Sequence, residues 1–188
     1  MDIIKVDYKW NGALVKRNET KYIILHHRAG NGDVESIHAQ HLSLGWTGIG
    51  YHFYVRKNGT VYRGRPLGVV GAHCQGHNSY SVGVCFEGNF EKEKMPEKQI
   101  RAGVMLVSYL RTLFPSAEMK RHGDMDSTLC PGKNFKFEEI VKGDKNMTVE
   151  EAVEIIQAKV GLEDETIEFL LCYKYGEELV LKIADAMV

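Results

Sequence analysis

Two histidines and a cysteine from distant parts of the sequence have the chemistry of a zinc site. His122 and Cys130 lie in KRHGDMDSTLCPG, eight residues apart. A loop turning at Gly123, Pro131 and Gly132 can close that spacing, whereas a helix cannot. Far upstream, the adjacent His26 and His27 end the apolar run KYIIL. Side chains alternate faces along a strand, so one of the two can enter a given site and the other packs. Two imidazoles and a thiolate from separate segments supply three zinc ligands and leave the fourth position for water, the arrangement of a catalytic rather than a structural site.

The chain has eight histidines: these three, His38, His41, His52, His73 and His77. His38 and His41, three apart in the helical stretch VESIHAQHLSL, read as packing residues. The run GAHCQGHNSYSVG places His73 and Asn78 in a glycine-punctuated loop suited to a polar substrate. His73 and His77 also have the HxxxH spacing of a rival metal pair, but Gly71 and Gly76 argue against the helix that would align them. In GIGYHFYV an extended strand puts Tyr51, Phe53 and Val55 on one face and His52 and Tyr54 on the other. Tyr51 reads either as a hydrogen-bond donor into a polar cleft or as a core tyrosine.

Positioning such residues takes a rigid scaffold, and the sequence predicts one of mixed α/β type. KYIIL and VGVCFEG read as buried strands, and YHFYVRKNGTVYRGR as a hairpin turning at Asn58 and Gly59. Residues 34–44 read as a helix stopped by Gly45. From Glu97 to Phe114, Ile100, Val104, Val107, Leu110 and Phe114 recur at helical spacing until Pro115. After Ile140 the polar VKGDKN reads as a linker. Thr148 with Glu151 then forms a capping-box signature, followed by helical patterns on either side of Gly176. We therefore expect a catalytic domain over residues 1–143 and a small all-helical domain over 147–188, too short to bury a stable core easily without packing or self-association.

Composition narrows the function classes. The 188 residues are 44% hydrophobic and 26% charged, which suits a globular protein rather than a disordered one. The formal charge of -1 gives no dominant attraction to nucleic acid. It conceals an asymmetry: residues 1–144 hold 20 Lys/Arg against 15 Asp/Glu, and residues 145–188 hold 4 against 10. No run approaches the roughly 18 apolar residues of a membrane helix, so membrane insertion is not expected. The start, MDIIKVDYKWNG, lacks the features of a signal peptide. Four scattered cysteines without a CxxC pair point to synthesis in a reducing cytoplasm.

Together, YIILHH, GWTGIGYHFYVRKNGTVYRGRP, GAHCQGHNSYSVGVCFEG and RHGDMDSTLCPG strongly resemble, in matching order from about Lys21 to Phe137, the zinc-dependent N-acetylmuramoyl-L-alanine amidases. This family includes amidase phage lysozymes and animal peptidoglycan recognition proteins. The resemblance implies a central mixed β-sheet flanked by helices and a cleft holding one Zn2+ on His26, His122 and Cys130. It further implies a catalytic role for Tyr51, substrate contacts from His73 and Asn78, and peptidoglycan as the partner, cleaved between N-acetylmuramic acid and L-alanine. Similar phage enzymes carry a catalytic lysine two residues before the ligand cysteine. Thr128 stands there in this chain, as in catalytic recognition proteins, and a hydroxyl hydrogen bond is expected in the lysine's place.

Two competing functions remain at this stage. One is a non-catalytic peptidoglycan-binding module, although binding-only relatives typically lose the cysteine that Cys130 supplies here. The other makes Cys130 a nucleophile paired with His122. By analogy with phage lysins, synthesis in a host cytoplasm and holin-type release to the wall are expected. The acidic tail reads as a wall-targeting or oligomerisation module. Codons for Lys142, Gly143 and Asp144 can encode a ribosome-binding sequence ahead of Met147, so an internally initiated tail that assembles on the full-length chain is a further expectation.

Overall fold

A computed structural model describes residues 2–143 and 148–187, with the backbone alone at 185 and 186. Met147, and with it the expected internal start, lies outside the described residues. Contacts divide the chain into two compact units, Met1–Gly143 and Asp144–Val188.

The first unit is built on a six-stranded sheet formed by β1 (Ile3–Lys5), β2 (Tyr22–His27), β3 (Phe53–Val55), β4 (Val61–Arg63), β5 (Ser81–Phe86) and β6 (Glu118–Arg121). The spatial order is β1-β4-β3-β5-β2-β6, and only the β3–β4 hairpin is antiparallel. At the hairpin turn Gly59 takes φ +89° and the Asn58 side chain accepts from the Thr60 amide. Helices α1 (Val34–Ser43), α2 (Glu97–Leu113) and α3 (Phe137–Lys142) complete the unit. The mixed sheet flanked by helices, followed by a helical C-terminal region, is the expected fold class.

Alternation along the central strands divides the core in two. Ile23 and Leu25 of β2 join Val82, Val84 and Phe86 of β5 against Leu106, Val107 and Leu110 of α2 and Ile140 of α3. Fully buried leucines such as Leu106 and Leu110 contribute about 2 kcal/mol each. The opposite face carries Tyr54, Cys85 and Ile49 against Val34 and Ile37 of α1. α1 begins at Asp33, whose carboxylate accepts from the Ser36 amide.

As expected, β2 carries both His26 and His27. Two other expectations need correcting. Val141 and Lys142, read as linker, complete α3, which ends at Gly143 with φ +82°. Tyr51 does not share the face of Phe53 and Val55. The carbonyls of His52 and Tyr51, adjacent in sequence, accept from the adjacent amides of Gly64 and Arg65, which breaks the two-residue repeat. Tyr51 therefore packs with the Tyr54 cluster.

The second unit comprises α4 (Val149–Val160), α5 (Asp164–Leu171) and α6 (Gly176–Met187) around Ala152, Ile156, Ile167, Val180 and Ala184. The capping box forms: the Thr148 side chain accepts from the Glu151 amide, and the Glu151 carboxylate accepts from the Thr148 amide. Gly176 begins α6, where the second of the two helical patterns starts. Among the described residues, no helix is long and apolar enough to cross a membrane.

Two buried rings make the first unit acid-labile. His52 Nδ1 accepts from the Gly83 amide at 3.0 Å while Nε2 meets the Val69 carbonyl at 3.0 Å, so the neutral ring satisfies both. Burial, aided by nearby Arg17, lowers its pKa to about 3, and burial near Arg65 lowers that of His41 to about 4. Unfolded imidazole takes its proton near pH 6.5, so this stability is fully present above that pH and is lost as pH falls toward the folded values. The His52 share of the loss is about 2 kcal/mol by pH 5. Urea unfolding read by Trp10 and Trp46 checks this: the midpoint should be level above pH 7 and drop steeply below pH 6, and a level midpoint down to pH 5 contradicts it.

Candidate active site

Parallel pairing brings the distant histidines together. β6 runs beside β2 with Leu25 opposite Arg121, so the residues that follow, His26 and His122, emerge side by side. Their ring centroids are 4.4 Å apart. His122 opens a one-turn 3-10 segment, and the chain then loops back so that the Gly123 amide donates to the Cys130 carbonyl at 2.7 Å. A Cβ on Gly123 would sit 2.7 Å from the Thr128 carbonyl oxygen, so this closure needs glycine. Gly132, at φ +102°, turns the chain away again.

The loop delivers Cys130 Sγ to within 4.0 Å of His26 Nδ1, and one donor atom from each of His26, His122 and Cys130 lies within 4.8 Å of the others. This is the one such group of three among the described residues. The donors fit zinc: a borderline-soft ion accepts imidazole nitrogen and thiolate together, and three protein ligands leave one position open. The backbone amide of His27 donates to Cys130 Sγ at 3.4 Å. His27 itself points its ring to the other face, where Nδ1 accepts from the Phe90 amide.

Burial dominates the electrostatics. It pushes the Cys130 thiol up to about 11, with the His27 amide opposing the rise. It holds the His26 ring well below the ordinary imidazole range, helped by His122, and it also lowers His122. Both rings are therefore neutral at pH 7, as metal ligands must be, whereas the thiol needs a cation beside it to ionise.

Tyr51 lies against this group, its ring 5.2 Å from that of His26. Burial and the neighbouring Cys85 keep its phenol protonated far above the usual range. Cys85 pairs with His26 across the β2–β5 register and neighbours the phenol, a proximity that sequence spacing did not reveal. Thr128 is exposed on the returning loop, and its hydroxyl oxygen accepts from the Cys130 amide at 3.2 Å. A cavity of about 520 Å3 adjoins the cluster, bordered by Trp46, Arg65, His73, Asn78, His122 and Asp126.

The remaining sequence candidates have structural partners. Asn78 lines the cavity, but its side-chain oxygen accepts from the amides of His73 and Cys74 at 2.8 and 3.0 Å and so shapes the loop. His73 is buried, with Nδ1 3.1 Å from His26 Nε2 and Nε2 3.3 Å from Ser81 Oγ, so both ring nitrogens are engaged within the protein. His77 Nδ1 meets the Tyr80 hydroxyl, and neither His73 nor His77 belongs to the group of three metal-ligating side chains found among the described residues. His38 and His41 accept from the amides of Ile49 and Gly50, which anchors the segment leading into Tyr51.

Known proteins are similar to this chain in sequence and fold. The family model for N-acetylmuramoyl-L-alanine amidase matches residues 16–133. The endolysin of Klebsiella phage KP32 is 35% identical over 130 residues, which span 64% of this chain and 86% of that protein. Peptidoglycan-recognition protein SC2 of Drosophila melanogaster is 35% identical over 131 residues, 63% of this chain and 71% of that one. The solved structure of N-acetylmuramoyl-L-alanine amidase LysC from Clostridium intestinale URNW superposes with a TM-score of 0.72 at 36% identity, covering 87% of this chain and 99% of that one. With a family match over more than half its length and a fold shared with a solved amidase around a two-histidine, one-cysteine cluster, the chain belongs to the N-acetylmuramoyl-L-alanine amidase family.

Proposed function

We propose that the chain is a zinc-dependent endolysin-type hydrolase that cleaves the amide between the lactyl group of N-acetylmuramic acid and the L-alanine of the stem peptide. The observation that carries this reading is the convergence of His26, His122 and Cys130, from separate segments, beside an open cavity. When bound by these residues, zinc supplies Lewis acidity: it brings the pKa of water toward about 7 and polarises a carbonyl.

The protein's own groups supply the rest. Tyr51, kept protonated by burial, donates a hydrogen bond to the carbonyl oxygen as negative charge develops there. Thr128 has its hydroxyl oxygen held by the Cys130 amide, which leaves its hydrogen to be donated to water or substrate. Neutral His26 and His122 hold their lone pairs available without first losing a proton. Hydrolysis adds one water across the C–N bond, with the hydroxyl going to the lactyl carbonyl carbon and the proton to the alanine nitrogen.

The cysteine-nucleophile alternative is disfavoured by burial, because a thiol raised to about 11 is the opposite of an activated thiolate. We read the helical unit as a wall-targeting module. It exposes Phe169, Tyr173 and Tyr175, and aromatic faces of this kind suit contact with a wall polymer.

Three outcomes follow. Exhaustive chelation should abolish release of new L-alanine amino termini from purified walls, and added Zn2+ should restore it; full activity after chelation rules the mechanism out. Tyr51→Phe should lower kcat by about 10²–10³-fold with zinc content unchanged, as loss of an oxyanion donor does. Replacing Tyr173 and Tyr175 together by Ala in the full chain should weaken co-sedimentation with walls while leaving hydrolysis of soluble muropeptides intact. If those substitutions change only the sedimentation coefficient of the protein, the helices serve self-association instead.

A further inference from the structure

The contact between His26 and His73 has a direction, and the fold sets it from the far end. Ser81, fully buried at the start of β5, donates its hydroxyl hydrogen to the His77 carbonyl at 2.7 Å. With that hydrogen committed, the Ser81 oxygen can meet His73 Nε2 only as an acceptor, so Nε2 carries a hydrogen. A neutral imidazole carries one ring hydrogen, so with that hydrogen on Nε2 the His73 Nδ1 is left with a lone pair. That lone pair faces His26 Nε2 at 3.1 Å, so the hydrogen of His26 resides on Nε2. With its one hydrogen on Nε2, a neutral His26 ring presents its Nδ1 lone pair toward Cys130 Sγ.

We propose that Ser81 and His73 are positioning residues: a proton-ordered chain from the His77 carbonyl through Ser81 and His73 fixes the tautomer and ring orientation of His26, preparing Nδ1 as a metal donor. The proposal rests on the zinc reading of the site. A ligating histidine whose second nitrogen is held by a hydrogen bond keeps one tautomer, and loss of such a partner commonly weakens metal binding about 10–100-fold.

The fold reserves space for this chain. A Cβ on Gly83 would come within 2.4 Å of His73 Cγ, and one on Gly71 within 2.5 Å of His73 Cδ2, so two bare glycines form the slot that holds the ring. The Asn78 oxygen, accepting from the His73 and Cys74 amides, fixes the backbone that carries it. This assigns His73 to the support of His26 rather than to a substrate contact made by its ring nitrogens.

Histidine-selective 15N labelling of the metal-free protein reads the tautomers directly. At pH 7, long-range proton–nitrogen correlations should show His26 and His73 both as Nε2–H, and an Nδ1–H tautomer at His26 overturns the proposal. Zinc dissociation constants from chelator competition test the consequence. His73→Phe should bind zinc about 10–100-fold more weakly, whereas His73→Asn, which keeps an acceptor for His26, should recover most of the loss. Affinity of His73→Phe within twofold of the parent overturns the proposal. If that variant does not fold, Ser81→Ala decides: mixed His26 tautomers and weaker zinc binding support the chain, and an unchanged spectrum and affinity overturn it. A parent protein that takes up no zinc defeats the zinc reading itself, while the metal-free spectrum still decides the ordering of the chain.

Discussion

The register of β2 between β5 and β6 is the constraint on which the site depends. Along this strand Ile23 and Leu25 face the α2 side, while His26 faces the opposite side beside Cys85. A slip of one residue would turn His26 into the apolar layer and present His27 in its place. The same pairing aligns the end of β2 with the end of β6, which sets His122 next to His26. Burial of the apolar residues therefore enforces the polar geometry, and the hydrophobic layer acts as the jig for the ligand cluster. β6 can be charged and short because it contributes alignment rather than core: Glu118 is exposed and Lys120 and Arg121 only half-buried.

Behind the cluster, neutral imidazoles and guanidinium groups do work that carboxylates do in many other sites. His38, His41 and His52 each accept a backbone amide on Nδ1. Arg17, almost wholly buried, donates to the carbonyls of Leu67, Val69 and Ser81, and Arg65 donates to those of Ile49 and Val70. These bonds tie the irregular segments around residues 48–52 and 65–70 to the sheet, which satisfies backbone groups that no ladder reaches. The cavity wall is thus held by side chains reaching for main chain, and it keeps its shape without a regular element of its own.

Much of this was legible in the sequence, and the exceptions have physical reasons. The long helix ending at Leu113, the Asn58-Gly59 hairpin and the capping box at Thr148 follow from periodicity and turn chemistry that act over a few residues. β1 and β6 were missed because a three-residue edge strand and the charged EMKR carry no apolar alternation. α3 was missed because it is a six-residue helix whose last residues lie in a polar stretch. At the site, the motifs singled out His26, His122, Cys130 and Tyr51, but the face of Tyr51 was misread, since an irregular pairing opposite Gly64 and Arg65 leaves no mark in the residue pattern. The burial of His73 was equally hidden. Its signal is the unfilled position at Gly83 in SVGVCF, which has meaning only once the facing loop is in place.

Cys130 and His26 stand 104 positions apart in the chain yet meet at 4.0 Å. An ion grasping both would tie off a ring that runs from the end of β2 through β3, β4, β5 and β6. Cross-links around rings of about this size remove roughly 4–5 kcal/mol of freedom from the denatured chain. The cluster would then serve as a clasp as well as a reaction centre, so that a chain stripped of its ion would lose durability together with chemistry.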